Sequence, residues 1–185
     1  MLSKIVALNN LKEWGFNVPH YLVFDNATTQ EDIVQLAQGE HLGIRTSLAG
    51  SFSLPFLYDL LPAQAYIEAV KLSQHYGVIV TRVVPPELTL YSCSVFLEHR
   101  DSPCSGTVEW IEGPSLGRDL ERKADIQRYD FTYPSQIPKP AIRDAVMDLM
   151  DIPDLAGHDV IVEFTILKEP AGIKDEDVVL WEYRR

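Results

Sequence analysis

Residues 158–167, HDVIVEFTIL, and 178–185, VVLWEYRR, are two apolar runs, each carrying one glutamate, Glu163 and Glu182. β-Branched and aromatic residues dominate both, and the turn around Pro170–Asp177 separates them, so they read as an antiparallel hairpin. Side chains alternate along a strand, so on adjacent strands both carboxylates can point to one face. Arg184 lies two residues beyond Glu182 and shares that face. Two acids side by side repel unless a cation lies between them. Mg2+ held by one or two carboxylates plus substrate phosphates suits such a pair, with Arg184 placed to hold a phosphate beside it. The alternative is an edge hairpin whose polar residues face water. His158 and Asp159 read as turn residues.

Working backward, KPAIRDAVMDLMDI (139–152) predicts a helix with Pro140 in its first turn, and YDFTYPSQIP (129–138) is extended and proline-rich. LTLYSCSVFLEH and SGTVEWIEG predict two strands joined by a turn around Asp101–Gly106. YGVIVTRVV predicts a buried strand ended by Pro85-Pro86. Residues 62–76 predict a helix with Ala65, Ile67, Ala69, Val70 and Leu72 as its apolar side. In the first forty residues, Ile5, Leu8, Leu11 and Trp14 mark one face of a short helix stopped by Gly15. NVPHYLVFD follows as a strand, then a helix over 30–38 capped by Thr28 or Thr29, with Glu31 and Asp32 near its positive end. HLGIRTS is the next strand. This order predicts an α+β protein of two lobes with antiparallel-rich sheets and flanking helices, an N-terminal lobe over 1–76 and a sheet-rich lobe over 77–185.

The 185 residues are 46% hydrophobic and 23% charged, with a net charge of −11. That balance suits a soluble globular chain and argues against a nucleic-acid partner, because phosphate backbones need clustered Lys and Arg. No stretch approaches the ~20 apolar residues of a membrane helix. The N-terminus has no signal-peptide pattern, and two cysteines, Cys93 and Cys104, lack metal-ligand spacing and form no disulfide framework. A reduced cytoplasmic protein is expected.

The other notable stretch is LGIRTSLAGSFSLP (42–55), where Arg45 is followed by Thr46, Ser47, Ser51 and Ser53. Such a loop can hold an anion, or it is a strand-end arginine followed by a turn. Lys4 at the head of the first helix can reach a phosphate as a point charge, or is a solvated surface lysine. Arg82 interrupts a buried-type strand, so it faces a cleft or marks an exposed side. Glu109 and Glu112 flank Trp110-Ile111, and EGPSLGRDLERK supplies Gly113, Gly117, Arg118, Arg122 and Lys123 without a phosphate-loop pattern. No nucleophile-elbow motif occurs, and the five histidines show no metal-site spacing.

Together these segments resemble the ATP-grasp fold, and in particular the nucleotide-binding domain of the phosphoenolpyruvate synthase and pyruvate phosphate dikinase family. SKIVALNNLKEWGFNVPHYLVF resembles that family's opening, LGIRTSLAGSF its V-R-S-S segment, and VIVTRVVPPELTLYSCSVFL its V-Q-x-M-V and G-V-x-F-T strands. VEWIEGPSLG is similar to the approach to G-L-G-E, and DVIVEFTI with VVLWEYR to the closing strands, the second usually ending Q-A-R. The resemblance implies Mg-ATP binding and phosphoryl transfer to an unidentified acceptor. It implies Lys4, Arg45 and Arg184 at the phosphates, Glu163 and Glu182 on Mg2+, and Thr81 and Val83 beside the adenine. The sequence departs from the pattern: the acids after V-R-S-S are absent, Thr81 and Glu182 stand for glutamines, Cys93 for a glycine and Arg118 for a glutamate. A degenerate, non-catalytic relative acting as a binding or regulatory module is therefore the alternative. The family's phosphohistidine domain and substrate barrel are missing, which makes a separately encoded companion domain an expected partner.

Overall fold

The computed structural model describes residues 4–48, 54–98, 105–114, 125–153, 155, 157–168 and 178–184. Two compact units divide the chain, Met1–Val84 and Pro85–Arg185.

The first unit holds α1 (Lys4–Glu13), β1 (Tyr21–Phe24), α2 (Gln30–Ala37), β2 (Leu42–Ser47), β3 (Phe56–Leu60), α3 (Pro62–Ser73) and β4 (Gly77–Arg82). Its four strands run in the order β1-β4-β2-β3, all neighbours antiparallel. Alternation along β2 and β4 sends Leu42, Ile44, Val78 and Val80 to one face, where they form a core with Ile33 and Ala37 of α2 and Ala65 and Ala69 of α3. α1 lies against the other face. A Cβ on Gly77 would sit 3.2 Å from Ile5 Cδ1, and the Tyr21 hydroxyl donates to Asn9 Oδ1 at 2.6 Å.

Local chemistry sets the helix ends. Thr29 caps α2 in a reciprocal box: its hydroxyl accepts the Asp32 N–H at 3.2 Å, and the Asp32 carboxylate accepts the Thr29 N–H at 2.8 Å. Leu8 and Leu11 of α1 are fully buried, as their spacing predicts. The apolar side expected for α3 is narrower in fact. Ala65 and Ala69 are buried, while Ile67 is 53% exposed, because two residues of helix turn it about 200° from the face that Ala65 occupies.

Two departures concern strands. β3 is an element that the sequence reading missed: it is a half-exposed edge strand, without clean alternation, and Asp59 within it takes a positive φ of 63°. β4 lies between β1 and β2 at the centre of the first sheet, so the compact units divide after it, at 84/85, rather than at the expected 76/77.

The second unit contains β5 (Thr89–Glu98), β6 (Ser105–Glu112), β7 (Gln127–Phe131), α4 (Pro140–Met150), β8 (Val160–Leu167) and β9 (Val178–Arg184). The sheet order is β7-β6-β5-β8-β9, again antiparallel throughout. One face is apolar and buried: Cys93, Val95 and Leu97 on β5, Val108 and Trp110 on β6, Val160, Val162, Phe164 and Ile166 on β8. α4 buries Ile142, Ala145, Val146 and Leu149, the i, i+3, i+4, i+7 stripe of an amphipathic helix, with Pro140 in its first turn. β6 needs a glycine at its second position: a Cβ on Gly106 would lie 2.2 Å from the Phe96 carbonyl oxygen.

Gly117, Arg118, Arg122, Lys123, Cys104, Ser51, Ser53 and the turn at 170–177 lie outside the described residues. Among the described residues no helix is long and apolar enough to cross a membrane.

Candidate functional site

The second face of the five-stranded sheet is polar. β8 and β9 pair so that Glu163 stands directly opposite Glu182. On its other side Glu163 pairs with Ser94, Ser94 with Glu109, and Glu109 with Arg128. Directly paired residues share a face, so a single polar row, Arg128–Glu109–Ser94–Glu163–Glu182, crosses the whole sheet. A shift of register between Glu163 and Phe164 follows this row, where Phe164 pairs with Leu180 and Trp181 is the extra residue. Its indole N–H donates to Thr165 Oγ1 at 2.8 Å.

Arg184, on the same face two residues past Glu182, joins the two acids. Its Nε donates to Glu182 Oε1 at 2.8 Å and its Nη2 donates to the Glu163 carboxylate. Glu182 is only 4% exposed, so its charge is largely removed from water. Burial pulls the Arg184 pKa down, but attraction to Glu182 and Glu163 outweighs it and the net direction is upward. At the far end of the row Arg128 reaches Glu109 at 3.7 Å and Asp130 at 3.4 Å, and the Thr107 hydroxyl donates to Asp130 at 2.6 Å. Among the described residues of this row and its neighbours, four carboxylates therefore meet two guanidinium groups, an excess of negative charge.

A divalent cation fits such a face chemically. Glu163 and Glu182 are hard oxygen donors on neighbouring strands, and Mg2+ takes one or two carboxylates with phosphate and water completing its shell. No group of three or more His, Cys, Asp and Glu side chains is placed to hold a metal among the described residues, so a shell here would draw at most this pair from them.

The first unit collects the remaining candidates. Arg45 is 8% exposed and pairs with Ile79 on β4 and Phe56 on β3. Thr81 pairs with Gly43, and the Thr81 hydroxyl lies 3.5 Å from the Gly43 carbonyl oxygen. Gly43, Arg45 and Ser47 alternate onto the face that α1 covers, and the Ser47 hydroxyl accepts the Lys4 N–H at 3.1 Å. The head of α1, Arg45 and Thr81 thus lie on one side of the first sheet, with Lys4 and Thr81 towards opposite ends of the β2–β4 pairing. Val83 follows β4, its N–H donating to the His41 carbonyl at 3.0 Å.

Arg82 takes neither role considered for it. Its Nε and Nη2 both donate to the Leu36 carbonyl oxygen, at 3.2 and 3.0 Å, satisfying one of the free carbonyls at the C-terminal end of α2. Cys93 is no nucleophile: burial pushes its thiol well above the ordinary range. His41 pairs with Asp59 at the surface, and Glu112 with Lys139 at 3.3 Å.

No protein-family model matches the sequence, and no curated protein matches it. Solved structures do. The D-alanine–D-alanine ligase from Coxiella burnetii superposes with a TM-score of 0.59 at 12% identity, over 97% of this chain and 46% of that one. N5-carboxyaminoimidazole synthetase from Staphylococcus aureus, complexed with ADP, gives 0.58 at 11% identity over 98% and 43%. The D-alanine–D-alanine ligase from Bacillus anthracis, complexed with ATP, gives 0.53 at 11% identity over 98% and 53%. The fold is ATP-grasp-like. The chain spans about half the length of these solved structures.

Within this ATP-grasp-like fold, local sequence was enough to place Glu163, Glu182 and Arg184 on one face of adjacent strands, because two short runs carry them. The row that extends them through Ser94, Glu109 and Arg128 was not found. Its members lie on strands far apart in the chain, and only the cross-strand register aligns them. Glu109 was noted beside Trp110, with nothing local to connect it to Glu163.

Proposed function

We propose that the chain binds ATP together with Mg2+ on this ATP-grasp-like scaffold and serves phosphoryl transfer to an acceptor. The observation that carries the reading is the Glu163–Glu182–Arg184 cluster, two paired carboxylates and a forked guanidinium on the polar face of the second sheet. A bare polyphosphate would be repelled there, whereas a metal-bound one brings its own countercharge. Structures named as complexes with ATP and ADP share the fold over nearly the whole chain.

In this reading Glu163 and Glu182 would hold Mg2+ with Arg184 on a phosphate oxygen, and the sequence resemblance keeps Lys4 and Arg45 of the first unit as further candidates for phosphate contacts. Thr81 and Val83 line the base, where backbone groups can read its edge. The metal, when bound, supplies charge neutralisation at the transferring phosphate. The chain's own residues supply position and further positive charge, which is most of what phosphoryl transfer asks of a protein. The sequence resemblance favours a transferase of the phosphoenolpyruvate synthase and pyruvate phosphate dikinase type. The names of the similar solved structures favour a ligase, and we adopt the ligase. A separately encoded companion domain is the proposed partner, the acceptor is left unassigned, and the protein is proposed to work in the cytoplasm.

A specific observation also supports a non-catalytic binding module. Arg184 already bridges both carboxylates, and the substitutions at Thr81 and Cys93 depart from the catalytic pattern. Calorimetric titration separates the outcomes. ATP is expected to bind more tightly with Mg2+ than without, and Glu163→Gln with Glu182→Gln is expected to lower the Mg-ATP affinity by about tenfold or more. Equal binding of ATP with and without Mg2+, unchanged in the double variant, contradicts the reading. Binding without ATP consumption in the presence of acceptors selects the module.

A further inference from the structure

We propose that Arg184 is the resident counter-cation of the Glu163–Glu182 pair, giving way to a divalent cation only when a polyphosphate takes over the guanidinium, so that metal and nucleotide load this face cooperatively. The proposal rests on the nucleotide reading above and adds to it how the site is loaded.

The argument starts from the register. Glu163 and Glu182 are direct cross-strand partners, and like charges at such positions are destabilising. Glu182 is 4% exposed, so its charge also loses most of its hydration, a cost borne only when a partner is at hand. The protein without ligand therefore needs a cation between these two groups. Arg184 supplies it with a fork, one nitrogen to each carboxylate. The other guanidinium of the row, Arg128, is engaged at the far edge with Glu109 and Asp130.

A metal ion approaching the pair must then compete with a cation tethered to the neighbouring backbone. The tether gives the guanidinium a high effective concentration at the carboxylates. A guanidinium does not deprotonate in a protein, so a rise in pH does not remove it. What can draw it off is an anion offering equal or better acceptors, and phosphate oxygens accept from arginine in the same two-pronged way. A polyphosphate that engages Arg184 would release Glu163 and Glu182 at the moment when its own metal needs ligands. By linkage, each ligand then raises the affinity for the other by the same factor. Arg184 in this scheme positions and neutralises, and an ordinary structural ion pair would show no such coupling.

The decisive experiment titrates Mn2+ into the full chain without nucleotide, reading free Mn2+ by electron paramagnetic resonance. Arg184→Gln is expected to bind Mn2+ about tenfold more tightly than the wild type, the scale of one forgone charge-assisted hydrogen bond. Adding Glu163→Gln to that variant should abolish the gain. Should Arg184→Gln fail to fold, Arg184→Lys replaces it: an ammonium lacks the fork, and the change has the same sign. Equal Mn2+ affinity in the wild type and in a folded Arg184 variant overturns the proposal. A parallel titration of the wild type with ATP tests the underlying reading separately. Failure of ATP to bind overturns the nucleotide reading and the coupling with it. ATP binding with equal Mn2+ affinities overturns the Arg184 proposal alone.

Discussion

The two sheets of this protein are built alike, antiparallel throughout and with a long apolar strand near the middle, yet they treat charge in opposite ways. In the first sheet both faces are covered, α2 and α3 on one side and α1 on the other. Every residue of β2 is buried, Arg45 included. The polar groups there close backbone accounts: Arg82 on the Leu36 carbonyl, Ser47 on the Lys4 N–H, Thr46 on the Pro55 carbonyl at 2.6 Å. In the second sheet one face is apolar and the other carries ionised side chains on all five strands or next to them. Glu182 is buried among them, its charge held by Arg184. A polar group that satisfies a carbonyl is explained by the fold. A like-charged pair aligned across two strands is not, and that difference is what supports the metal-nucleotide site proposed on the second unit's polar face.

Two substitutions in the first unit test whether its polar contacts are scaffold. The larger effect is expected from Arg82→Gln. It removes two donors from the Leu36 carbonyl and should cost about 1–3 kcal/mol in denaturant unfolding. Affinity for Mg-ATP should remain unchanged. A variant of full stability, or one that loses nucleotide affinity while staying folded, would erase the contrast between the sheets.

A smaller effect is expected from Thr29→Ala, which removes the hydroxyl of the α2 cap at a cost of about 1 kcal/mol. The Asp32 carboxyl is held below its ordinary value of 3.8 by hydrogen bonds from the Thr29 backbone and side chain. A depressed folded-state pKa gives stability that is complete above the ordinary value and is lost as pH falls through the depressed one. Without the hydroxyl the shift is smaller. Acid unfolding of Thr29→Ala should therefore begin at higher pH than in the wild type, which circular dichroism across an acid titration would show. Coincident acid transitions would place the cap's contribution elsewhere.

Much of this was legible in the sequence because the relevant signals are local. Thr28 or Thr29 before Gln30-Glu31-Asp32 announces a cap, Pro140 announces a first turn, and the period-two runs of β5, β6, β8 and β9 announce a sheet. Glu163 and Glu182 could be placed opposite each other because each sits in a short run joined by one turn. What stayed hidden depends on contacts distant in the chain. β3 is recognisable only once β2 is there to pair with it, since FLYDL has no apolar period of its own. Ile67 looks like a core residue until the helix is set against the Ala65–Ala69 face. Arg82 finds its partner 46 residues earlier, a carbonyl that no side-chain pattern can announce.

The most direct measurement is nuclear magnetic resonance of the isotope-labelled protein with Mn2+-ATP as a paramagnetic probe. Broadening falls steeply with distance from the ion, so it reports where the metal sits. Amide signals of β8 and β9 around Glu163 and Glu182 should be lost first, and ATP with diamagnetic Mg2+ should leave them visible. Broadening that leaves the signals around Glu163 and Glu182 untouched while bleaching residues elsewhere would contradict the assignment of the metal-nucleotide site to this face.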